Sequence, residues 1–168
     1  MKKALLCFGA GKSQQPVISK AKEMRYAVIA IDQNSNSPSF KITDEKLILS
    51  TYNAIPLLEP IKSLSQKYDI TGILNRSSGP PVITAAKLAK LLQLPYYSED
   101  SAIKIVNKHL LMKLCGKYGI PAPKSYVLTK DEKLNKKEIQ FPCVVRPSLS
   151  LVGKSGVSIV NEENELDE

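Results

Sequence analysis

The sequence predicts an α/β protein: a mostly parallel sheet in three layers, with helices on both faces, followed by a shorter α+β segment. Three observations predict it. Short apolar runs alternate with helical periodicities through residue 97. Several of those runs close on Gly, Asp or Asn, the residues expected where a strand turns toward a helix. Beyond residue 98 the alternation stops, and one long amphipathic stretch precedes two further apolar runs.

Lys3 to Phe8 reads as a buried strand ended by Gly9-Ala10-Gly11. Val17, Ile18, Ala21 and Met24 give Gln14 to Met24 a helical spacing, with Ser13 as its N-cap and Pro16 in the first turn. Tyr26 to Ile31 is a second strand, closed by Asp32, and the polar stretch Gln33 to Ser39 is a loop. A short strand over Lys46 to Ser50 follows. Asn53 to Tyr68 reads as an amphipathic helix interrupted by Pro56 and Pro60. Ile70 to Asn75 is a strand, Pro81 to Leu92 an alanine-rich helix, and Leu94 to Tyr97 a last short strand. In such sheets ligands sit at the carboxyl ends of the strands. The segments Gly9 to Lys12, Asp32 to Asn34 and Asn75 to Gly79 are therefore expected to share one rim.

In the second segment, Ile103, Val106, Leu110, Leu111, Leu114 and Tyr118 line one stripe of a helix over Ser101 to Tyr118. Gly119 caps it and Pro121 stops it. Lys124 to Leu128 is strand-like, and Asp131 to Gln140 is expected to hold a short helix. Pro142 to Val145 and Val157 to Val160 are β-type runs joined by a Ser/Gly loop carrying Lys154. Asn161, Glu162 and Glu163 resemble a helix start. We expect a domain over residues 1–97 and the opening of a lobe over 98–168, left unfinished.

Composition narrows the function. Hydrophobic residues make up 43% and charged residues 24%, the balance of a soluble domain, and no apolar run is long enough to cross a bilayer. A cytoplasmic setting and no membrane partner are the expectation. Cys7, Cys115 and Cys143 lie far apart in apolar stretches and read as buried reduced thiols. His109, the single histidine, has no ligand-type neighbour in sequence, so no metal site is expected. The net charge of +8 would suit an acidic partner, yet the 21 Lys and three Arg are scattered and Trp is absent. That argues against nucleic acid.

Three segments could carry chemistry. Gly9-Ala10-Gly11-Lys12-Ser13 allows backbone N–H groups to approach an anion. A dinucleotide loop would need a third Gly where Gln14 stands, although Asp32 lies about 20 residues on, as that fingerprint requires. A tight turn and a small-molecule loop both remain open. Arg76, with Ser77, ends a strand before a helix start and suits a carboxylate or phosphate, or is a surface residue in a turn. Gly9, Gly11, Asp32, Arg76 and Ser77 are the candidate substrate-binding residues. In the run from Phe141 to Val160, Arg146 ends one strand and Lys154 sits in the loop before the next, so the hairpin could fold over a polyphosphate.

Phe141-Pro-Cys-Val-Val-Arg146-Pro-Ser148, then Gly153-Lys154, resembles the glycine-rich hairpin of ATP-grasp enzymes, most closely the branch with the large subunit of carbamoyl phosphate synthetase. Asn107-Lys108, then Tyr118-Gly-Ile-Pro-Ala-Pro123, is similar to the family's opening of the ATP lobe. The first 97 residues resemble its Rossmann-like pre-ATP-grasp domain. The resemblance implies a ligase that uses ATP and Mg²⁺ to activate a carboxylate as an acyl phosphate for transfer to an amine or similar nucleophile. It implies that Lys108, Arg146, Ser148, Gly153 and Lys154 surround the ATP phosphates. It places the metal-binding carboxylates and adenine pocket in the later half of the lobe, so this chain alone is expected to be inactive. Asn107 departs from the usual Asp, and Leu149, Leu151 and Val152 stand where relatives carry Gly or polar residues. A dinucleotide- or small-molecule-binding regulatory domain is the alternative. Self-association of the chain is a further expectation.

Overall fold

The computed structural model describes residues 1–128, 138–149 and 156–167. The chain divides into two compact units, Met1–Ile103 and Lys104–Glu168, with the division inside a helix.

The first unit is built on four parallel strands: β1 (Lys2–Phe8), β2 (Ala27–Ile31), β3 (Glu45–Leu47) and β4 (Tyr68–Asn75). Their order across the sheet is β3-β2-β1-β4. The chain therefore grows outward from β1 in one direction, then crosses back to the other side of β1 for β4. This makes the β1/β4 boundary the topological switch point. Helix α1 (Gln15–Glu23) connects β1 to β2 and α2 (Ile55–Leu64) connects β3 to β4, while α3 (Pro80–Leu91) follows β4.

Period-two alternation in β1 and β2 sorts the core. Ala4, Leu6 and Phe8 of β1 join Ala27, Ile29 and Ile31 of β2 on one face, where Leu57 and Ile61 of α2 and Ala85, Leu88 and Ala89 of α3 cover them. Cys7, Val28 and Ala30 face the other way, onto Ile18 and Ala21 of α1. Both faces of the central strands are covered, which is why these runs read as continuously apolar. Burial pushes the Cys7 thiol up to about 12, so it is an inert packing group. Cys115 and Cys143 are half-buried rather than buried, and all three thiols are free.

Several expected elements are corrected. The stretch read as one helix over Ser101 to Tyr118 is two: α4 (Glu99–Val106) and α5 (Lys108–Lys117). Asn107 breaks them apart: its backbone is extended and its side chain accepts the Leu110 N–H at 3.1 Å, capping α5. Tyr68 belongs to β4, not to the helix before it. Leu94 to Tyr97 forms no strand; the Tyr96 and Tyr97 rings stack instead, with centroids 4.1 Å apart. Ser13 does not cap α1, because a 3-10 turn over Lys12–Gln14 intervenes. Lys124 to Leu128 has no regular structure, and Glu163–Asp167 is a 3-10 turn. The short helix expected over Asp131 to Gln140 lies largely outside the described residues.

Asp44 ties β2 to α1. Its carboxylate accepts the Val28 N–H and the Lys22 ammonium, both at 2.9 Å, and the Lys2 ammonium at 3.3 Å. Burial pushes its pKa up, but the hydrogen bonds from Lys22, Val28 and Lys2 outweigh that and hold it below the usual carboxylate range. A depressed folded pKa adds stability that is present above the unfolded value of about 3.9 and lost as pH falls through the folded one. Asp44→Asn is therefore expected to cost about 1–2 kcal/mol at pH 7. The gap from wild type should close below about pH 4, read from urea denaturation at a series of pH values.

The second unit holds α5 and an antiparallel pair, β5 (Cys143–Val145) and β6 (Ser158–Val160), in which Val144 faces Ile159. Val160 is buried, whereas Ile159 is 70% exposed and Val144 57%. No residue of α5 is fully buried.

Candidate functional site

The carboxyl ends of β1, β2 and β4 bring Gly9, Gly11, Asp32, Arg76 and Ser77 to one rim of the first unit. Their hydrogen bonds show what each does there. Gly9 has a φ of 88°, open to Gly at no steric cost, and donates its N–H to the Ile31 carbonyl at 2.8 Å. Asp32 accepts the Ala10 N–H at 2.8 Å with one carboxylate oxygen and the Asn34 N–H at 2.9 Å with the other. Its charge is spent on closing two loops. Arg76 is exposed and turns its guanidinium onto the Ser13 carbonyl. Ser77 donates its N–H to the Asn75 side chain at 2.9 Å, and Asn75 donates in turn to the Pro81 carbonyl at 3.1 Å. This fixes the turn that leads into α3.

Sequence reasoning noticed Gln14 only as a departure from a pattern. It is a central part of the rim. The side chain is buried, its carboxamide nitrogen donates to the Arg76 carbonyl at 3.1 Å, and its oxygen accepts from the Ser13 hydroxyl at 2.9 Å. Ser39 gave no sequence signal at all. Buried at the same loop, it donates its N–H to the Ala10 carbonyl and its hydroxyl to the Gly11 carbonyl, both at 2.9 Å. Tyr96 and Tyr97 share a hydroxyl contact of 3.0 Å; burial, and then that bond, push the Tyr96 phenol above its ordinary range.

In the second unit the structure brings Lys108 to the segment that follows β5. The Lys108 N–H donates to the Ser148 carbonyl at 2.9 Å and its ammonium to the Pro147 carbonyl at 3.2 Å. Lys108 opens α5, so the Asn107 cap and these two bonds fix one geometry for Lys108, Pro147 and Ser148. Arg146 is exposed at the end of β5, with no ion-pair partner among the described residues. Gly156, with a φ of 71°, packs against Pro147 where the chain returns to β6. Gly153 and Lys154, and with them Leu151 and Val152, lie outside the described residues. Among the described residues no group of three or more His, Cys, Asp or Glu side chains could hold a metal ion. No helix among them is long and apolar enough to cross a membrane.

A parallel sheet with helices on both faces, and loops at the carboxyl ends of its strands beside a topological switch point, places the chain in the α/β class. The comparisons agree with that class. The chain is 29% identical over 177 aligned positions to a formate-dependent phosphoribosylglycinamide formyltransferase of Prochlorococcus marinus subsp. pastoris, covering 98% of this chain and 42% of that protein. It is 28% identical to a carbamoyl phosphate synthase large chain of Methanocorpusculum labreanum, covering 98% of this chain and 17% of that one. Among solved structures, the N5-carboxyaminoimidazole ribonucleotide synthetase of Thermotoga maritima superposes with a TM-score of 0.73 at 27% identity, over 99% of this chain and 43% of that one. No protein-family model matches. The homologues of this chain are ATP-grasp ligases, and the likeness covers their N-terminal part. The chain spans 42% of the length of the first of these curated relatives.

Proposed function

We propose that this chain supplies the N-terminal portion of an ATP-grasp ligase that activates a small-molecule carboxylate as an acyl phosphate and passes it to an amine or similar nucleophile. The observation that carries the reading is the joint placement of Lys108, Pro147 and Ser148 beside Arg146, because Lys108 lies 39 residues before Pro147 and meets it at a helix start. A guanidinium offers a planar fork that matches two phosphate oxygens, and an ammonium adds a compact charge. That donor set fits a polyphosphate. Arg146 would orient it, and Lys108, already anchored through the Pro147 carbonyl, would hold a second oxygen. When bound, ATP would supply the phosphoryl group that makes the carboxylate reactive. Mg²⁺ has no ligand cluster among the described residues. The anionic end of the substrate would meet Arg76 and Ser77 at the rim of the first unit. The dinucleotide alternative is weakened by the commitment of Asp32 to two backbone N–H groups.

Thermal melting with millimolar Mg-ATP tests the reading. The chain is expected to gain about 2 °C, a shift lost in Arg146→Ala, and to release no ADP above background. Multiple turnovers by the 168-residue chain, or a shift that Arg146→Ala leaves intact, would overturn it.

A further inference from the structure

We propose that Gln14 is a specificity determinant that closes the first strand-to-helix loop against phosphates, by filling the loop's glycine cradle with its own carboxamide. In a phosphate-binding loop of this kind, glycines leave room for the ligand and the loop's N–H groups face it. Here the room is taken. A Cβ built on Gly9 would lie 3.1 Å from Cδ of Gln14, and one built on Gly11 would lie 3.2 Å from its Oε1. A side chain of the same molecule thus packs on both glycines, and at Gly9 the φ of 88° favours glycine as well. Gln14 is only 7% exposed and is bonded at both ends of its carboxamide, to Ser13 and to the Arg76 carbonyl.

Two of the loop's N–H groups and two of its carbonyls are also committed. Gly9 donates to Ile31 and Ala10 to Asp32, while the Ala10 carbonyl serves Ser39 and the Gly11 carbonyl serves both Ser39 and the Gln14 N–H. To enter, a phosphate would have to expel a buried carboxamide and break its two bonds. The Gln14 bond to Arg76 also spans the β1/β4 crevice, so the filler holds the switch point together as it fills it. The ligand of this rim is thus selected on the solvent side, at the Arg76 guanidinium and Ser77, and a pyrophosphate bridge lying in the glycine loop is shut out. All of these contacts lie in the first unit and are independent of the ATP reading.

Inorganic pyrophosphate is the probe. Calorimetric titrations compare the chain with Gln14→Gly and Gln14→Ala, all in an Arg146→Ala background so that the hairpin guanidinium does not compete. The expected result is at least ~10-fold tighter pyrophosphate binding in the two variants than with Gln14 present. Amide NMR of the chain carrying Gln14 should show no pyrophosphate-dependent shift at Gly9 or Gly11. The proposal is overturned if folded variants bind pyrophosphate no more tightly than the Gln14 chain. It is overturned equally if the Gly9 and Gly11 amides of the Gln14 chain shift on titration, a measurement that stands even if neither variant folds.

Discussion

Phe8→Ala is expected to destabilise the first unit by about 3–5 kcal/mol, the usual cost of deleting a buried aromatic ring. Phe8 is fully buried at the last position of β1, in register with Ile31 of β2 on one side and Asn75 of β4 on the other. Its ring shares a cluster with residues of α2 and α3, so no single neighbour can collapse into the space it leaves. A loss of that size is a large part of the roughly 5–15 kcal/mol that separates most folded domains from their unfolded chains. The midpoint of thermal unfolding should fall by roughly 15–30 °C. Met24→Ala is the comparison: Met24 is 61% exposed at the end of α1 and should change stability by no more than about 0.5 kcal/mol. Equal losses in the two variants would mean that the core is not centred on β1. Because Phe8 leads directly into Gly9, the variant should also loosen the rim, seen as faster hydrogen exchange at the Gly9 N–H.

The sheet was legible because β1 and β2 are buried on both faces, and that leaves a continuous apolar run in the sequence. The signal fades where a strand is short and only partly covered: β3 is three residues long, and it begins at Glu45 rather than at the expected Lys46. The break at Asn107 was illegible from periodicity. The apolar stripe of Ile103, Val106, Leu110 and Leu114 runs on through it, and only the turn of one backbone dihedral separates α4 from α5. The strand-like reading of Leu94 to Tyr97 failed for a similar reason, since four residues can satisfy a β pattern and still spend their rings on each other. At the rim, the sequence located the three loops through their glycines and polar residues. It could not assign their bonds. Asp32 sits at the spacing of a ribose-binding acid and closes a loop instead, which only the partner atoms reveal. Ser39 reaches the same loop from 28 residues away and belongs to no pattern.

The role of Asp32 yields the second large effect. Asp32→Ala removes the acceptor of the Ala10 N–H, and Ala10 is fully buried, so that donor is left without a partner. The expected cost is about 2–3 kcal/mol, from an unsatisfied buried donor together with the loss of a charged acceptor. Asp32→Asn should recover only part of this. An amide has one oxygen to offer, and its other end presents N–H groups toward one of two backbone donors, Ala10 or Asn34. The order wild type, Asn, Ala in urea midpoint, at constant slope, is the signature of a loop-closing carboxylate. A ribose-binding acid would behave in the opposite way. Its removal would relieve a carboxylate held for a ligand, leave stability unchanged or improved, and abolish any NAD-dependent rise in melting temperature. The two readings therefore differ in sign as well as in size. Exchange at the Ala10 amide separates them further, because it should accelerate in Asp32→Ala only where that carboxylate is the bond that protects it.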